Sequence, residues 1–87
     1  MNLKKFHIYG LARNLLTTGD SMTGYELANY LNSNGFTTDY GTAYQGLRGT
    51  YTLLRGTYYS VKLKFGKAEA DLIAISFKKP NGQFAWE

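Results

Sequence analysis

The residues of this chain best suited to chemistry are cations. Arg48, Arg55 and Lys62 follow one another at seven-residue intervals. Seven residues is close to two helical turns, so on a helix the three project along nearly one line. No Asp or Glu occurs between Asp39 and Glu69. Such a row suits a polyanion. Arg48 has the planar fork that pairs with guanine or clamps a phosphate, and Arg55, Lys62 and Lys64 can neutralise backbone charge. Just upstream, Gln45 can read adenine, while Thr38, Tyr40, Thr42 and Tyr44 can position phosphates. The bland alternative for the cations is a solvated helix face.

Other chemistries find little support. The six acids are Asp20, Glu26, Asp39, Glu69, Asp71 and Glu87; no two of them are spaced for acid–base work, and the single histidine, His7, cannot build a triad alone. The absence of cysteine removes disulfides, thiol catalysis and thiolate metal sites. Gly46-Leu47-Arg48-Gly49 lacks the spacing and lysine of a phosphate-cradling loop. The expectation is therefore a binding protein with no enzymatic activity, no metal and no cofactor.

The elements that must carry the cations can be read from periodicity. Tyr44, Leu47, Tyr51, Leu54, Tyr58, Val61 and Phe65 recur at steps of three and four, one apolar seam. A first helix is expected over residues 3–17, from Ile8, Leu11, Ala12, Leu15 and Leu16, ending at Gly19-Asp20. A second spans 23–34. There Thr23 and Glu26 form a capping box, Met22 and Leu27 a hydrophobic staple, and Gly35 sits where a left-handed cap is needed. Residues 57–78 allow two readings. Alternation at Tyr59, Val61, Leu63 and Phe65, and again at Ile73, Ile75 and Phe77, fits a strand hairpin. The in-phase seam, the charges at the helix ends and the run Lys67–Leu72 favour two helices instead, 50–65 and 67–78. Pro80-Asn81-Gly82 predicts a turn, then a short extended tail packing Phe84 and Trp86 on the body.

A capped helix with Glu-Leu-Ala inside it, a glycine turn and a polar-aromatic helix bearing an arginine is the layout of a helix-turn-helix. Over Met22–Leu31, Gly35-Phe36-Thr37 and Tyr40–Leu47 the chain resembles the broad helix-turn-helix and winged-helix DNA-binding superfamily. That resemblance implies that residues 38–49 form the groove-reading helix. Gly41, Gly46 and Gly49 depart from the pattern, each costing about 1 kcal/mol inside a helix. The fold expected is mainly α: a small helix-turn-helix domain of four to five helices with a short extended C-terminal tail. The alternative is a winged helix with strands near 57–65, 72–78 and 83–87.

Eighty-seven residues make one domain, and the formal charge of +4 favours a polyanionic partner. No run of about 18 apolar residues is present, so neither a spanning helix nor a membrane partner is expected, and the cytoplasm is the default compartment. The function expected is binding of double-stranded DNA as a transcriptional regulator or accessory factor, with a homodimer as the form that gives site specificity. Two alternatives stand beside it. One is a protein-interaction module whose tyrosine-rich seam is left incompletely buried; the other is RNA binding by Tyr and Arg stacking.

Overall fold

The computed structural model describes residues 2–45 and 47–77. Four helices follow in chain order: α1 (Leu3–Thr18), α2 (Gly24–Ser33), α3 (Arg48–Phe65) and α4 (Lys67–Ser76). The fold is mainly α, and no strand occurs among the described residues. The wing alternative is corrected over 57–65 and 72–76, which are helical; its third strand and the tail with Phe84 and Trp86 lie outside the described residues.

Local sequence explains where three of the helices stop. At the end of α1, Gly19 takes φ 75°. Its amide reaches the Leu16 carbonyl and that of Asp20 reaches Leu15, which satisfies carbonyls a helix end leaves open. The second helix starts on the expected capping box: the Glu26 amide donates to Thr23 Oγ1 and the Thr23 amide to Glu26 Oε1, both at 3.2 Å. It stops at Gly35 with φ 77° and the same pair of closing bonds, Gly35 to Asn32 and Phe36 to Leu31. One residue, Gly66, separates α3 from α4 with φ 97°.

The third helix is the centre of the molecule. It packs most extensively on α4 and also meets α1 and α2. Leu54, Tyr58 and Val61 of its seam are buried with Ile8 and Ala12 of α1, Leu27 and Leu31 of α2, and Ile73 and Phe77 from the α4 end. Tyr44 is buried with them, Leu47 and Tyr51 are partly buried, and Phe65 at the end of the seam is 44% exposed. Ser76 ties the C-terminal end of α4 inward: its Oγ donates to the Ala12 carbonyl at 3.1 Å, and its carbonyl accepts from the Met22 amide at 2.8 Å.

The groove-reading helix expected at 38–49 is corrected. Residues 34–47 connect α2 to α3, and helix begins only at Arg48. Side chains take the backbone groups a helix would use. Thr38 Oγ1 accepts from the amides of Tyr40 and Thr42, each at 3.3 Å. Gly41 turns the chain at φ 78°, a conformation no helix contains. The Asn32 side chain then holds Tyr44 at both backbone groups, donating to its carbonyl at 2.9 Å and accepting from its amide at 2.8 Å. Thr50 is a buried residue of the first turn of α3.

Candidate nucleic-acid interface

The outer side of α3 carries the cationic row. Arg55 and Lys62 are exposed and, at about 100° per residue, lie within ~20° of one another around the axis. Arg48 opens the helix at the same angular position. Between them Tyr59 is half-exposed, with the Arg55 guanidinium 6.0 Å from its ring centre. Lys64 does not share the row. It stands about 200° around the helix from Lys62, with its ammonium 5.7 Å from the Phe6 ring of α1 and 6.0 Å from the Phe65 ring. The seven-residue rule placed three cations together; Lys64, two residues after Lys62, fell on the other flank.

The remaining sequence-derived residues gather around a cleft of about 740 Å³ between the start of α1, the connection and the first half of α3. Thr38, Tyr40, Thr42 and Gln45 line it, as do Thr52 and Gly56 of α3. The connecting turn is held shut by its own hydroxyls, Thr38 Oγ1 and Thr42 Oγ1 lying 2.8 Å apart. Tyr40 projects from its tip at 93% exposure.

Two cations of the cleft were missed from sequence, Lys4 and Lys5. Lys4 is an anchor as much as a charge. Its ammonium donates to the Thr37 carbonyl and, at 2.8 Å, to the Tyr44 hydroxyl, and it lies 3.9 Å from Asp39. Lys5 reaches across α3 to Ser60 Oγ at 3.1 Å, its end passing over Gly56, where an added Cβ would stand in ordinary contact with Lys5 Cε and Nζ at 3.6 Å. A basic pair at positions 4 and 5 was legible, but nothing local says it faces residues fifty positions later.

Charge is divided by element. Neither α1 nor α3 contains an Asp or Glu, and seven of the ten Lys and Arg residues lie on them: Lys4, Lys5, Arg13, Arg48, Arg55, Lys62 and Lys64. Carboxylates edge this basic half at three points. Asp39 sits beside Lys4 on the connection, and Glu69 pairs with Arg13 at 3.0 Å. Asp71 of α4 pairs with Lys67 at 2.8 Å and accepts from the Tyr58 hydroxyl at 3.1 Å. The hydrogen bond from Lys67 holds the Asp71 carboxyl below its usual range against the opposing effect of burial, with help from Tyr58 and the nearby Lys62 charge. Burial, then the bond to Asp71, pushes the Tyr58 hydroxyl up.

His7, the lone imidazole, is 2.6 Å from the Tyr30 hydroxyl and packs on Phe36. Among the described residues no group of three His, Asp or Glu could hold a metal, and no helix is long and apolar enough to cross a membrane. Comparison with protein families, with curated proteins and with solved structures finds no match.

Proposed function

We propose that this chain is a small basic protein that binds duplex DNA and serves as a transcriptional regulator or accessory factor, with α3 in the role that the helix-turn-helix resemblance gave to residues 38–49. The observation that carries the reading is the alignment of Arg55 and Lys62 on the exposed line of a helix that has no acidic residue along its length. An 18-residue helix is about 27 Å long, and the major groove is wide enough to admit it. Its inner side is fixed by the core, so binding orders only the side chains of the outer cations and not the backbone that carries them.

In this arrangement the outer side of α3, with Arg55 and Lys62, meets the groove. Gln45, Thr42, Thr38 and Tyr40 lie beside it on the connection and contact the sugar–phosphate backbone, with Lys5 adding charge from α1. The clamp of Asn32 and Lys4 on Tyr44 sets the position of that connection. Two copies on one duplex supply the site length that a single helix lacks.

The test is fluorescence anisotropy of a labelled duplex at low and physiological salt. With about four phosphates neutralised, affinity falls ~10²-fold between 50 and 200 mM salt. Affinity that is indifferent to salt sinks the reading.

A further inference from the structure

We propose that the exposed faces of α1 and α3 that meet at Lys64, with Leu3 and Phe6 on one helix and Tyr59, Leu63 and Phe65 on the other, are a docking surface for an anionic lipid bilayer. It is separate from the cleft and goes beyond duplex binding.

Leu63 is 91% exposed and Leu3 80%, the most exposed aliphatic side chains among the described residues. Phe6 and Phe65 are close to half exposed. Lys64 joins the two helices, since its ammonium lies within cation–π reach of both phenyl rings. Leu3 and Phe6 are three apart on α1, and Tyr59 and Leu63 four apart on α3, so each pair occupies one helix face. The seam accounts for Phe65, which stacks on Tyr9 at 5.4 Å, but not for Leu3, Phe6 or Leu63, and phosphate contact has no use for an exposed leucine.

Charge complementarity selects the occupant. The surface is flanked by Lys62 and Lys64, and neither helix that builds it carries an acid; Asp71 and Glu69 stand at its α4 side, Asp71 close enough to feel the Lys62 charge and Glu69 paired with Arg13. A second copy packed here about a two-fold axis would bring these lysines against their own images, a like-charge contact that costs affinity. A protein partner in the usual mode seats an anchor in a pocket, whereas the leucines here stand proud of the surface. Protruding aliphatics rimmed by long-stemmed lysines and aromatic rings suit a fluid interface, where the leucines enter the acyl boundary and the ammonium groups reach back to anionic headgroups. Interfacial attachment needs no spanning helix, so the lack of a long apolar run does not argue against it.

The experiment is co-sedimentation of the full chain with vesicles of phosphatidylcholine alone and of equal parts phosphatidylglycerol and phosphatidylcholine. Wild-type protein is expected to partition to the anionic vesicles and not to the neutral ones. The Leu3→Ser/Leu63→Ser variant keeps every charge and changes only exposed positions; it should partition at least tenfold less, with unchanged far-UV circular dichroism and unchanged duplex affinity. Equal partitioning of variant and wild type would reduce the effect to adhesion of a basic protein and overturn the proposal. So would wild-type protein that ignores anionic vesicles, including the case in which it elutes as a dimer that Leu63→Ser dissociates, which assigns the patch to a second copy.

Discussion

On the inner side of α3, Leu54 and Val61 are fully buried and Tyr58 nearly so; on the outer side of the same turns Arg55, Tyr59 and Lys62 face solvent. The two sides share backbone and length, so they differ only in what their side chains meet. The inner side converts apolar area into stability, and the outer side holds charge in the open. Substitutions on the inner side should therefore act on folding, and those on the outer side on binding.

The largest effect belongs inside. Leu54→Ala removes a fully buried side chain at the centre of the core and should cost about 2–5 kcal/mol in chemical denaturation. A cost below about 1 kcal/mol would mean that the inner face is not the core. Next comes the clamp that sets the connection beside the outer row. Asn32→Ala leaves the Tyr44 amide and carbonyl without their side-chain partner and should cost about 1–3 kcal/mol. A variant as stable as wild type would show that the connection is not pinned there. At the α2–α3 contact a Cβ on Gly24 would stand 2.6 Å from both Leu47 Cδ2 and Tyr51 Cε1. Gly24→Ala should lower stability by about 1–3 kcal/mol, readable in the same titration.

A smaller effect lies at the margin between the two sides. Asp71 bonds buried Tyr58 yet also feels Lys62. Its carboxyl pKa is depressed in the folded protein, so the stability it contributes is complete above the unfolded-chain value and is lost as pH falls through the folded one. Asp71→Asn should lower the thermal midpoint at neutral pH, and the gap from wild type should close as pH falls below the normal carboxylate range. A gap that persists in acid would assign the loss to packing rather than charge.

The same contrast explains what could be read from sequence. The capping box at Thr23–Glu26 and the caps at Gly19 and Gly35 are local, so their residues announced them. The seam was legible because burial imposes a period, and that period outweighed the strand-like alternation of Tyr59 to Phe65. The connection was misread because its conformation is set from outside. Asn32 and Lys4 hold Tyr44 from twelve and forty residues away, and Thr38 competes for amides that propensity assigns to a helix. Of the candidate site, the row Arg55–Lys62 follows from spacing alone. Lys64 needed a rotation count, and the meeting of Lys4 and Lys5 with the connection needed the fold.

The central claim is that the outer side of α3 grips duplex DNA by charge. The direct measurement is the slope of log affinity against log salt for wild type and for Arg55→Ala/Lys62→Ala, with thermal melting of both proteins. The account predicts unchanged melting and a slope shallower by about two, one for each lost phosphate contact. Parallel salt plots of equal affinity would contradict it.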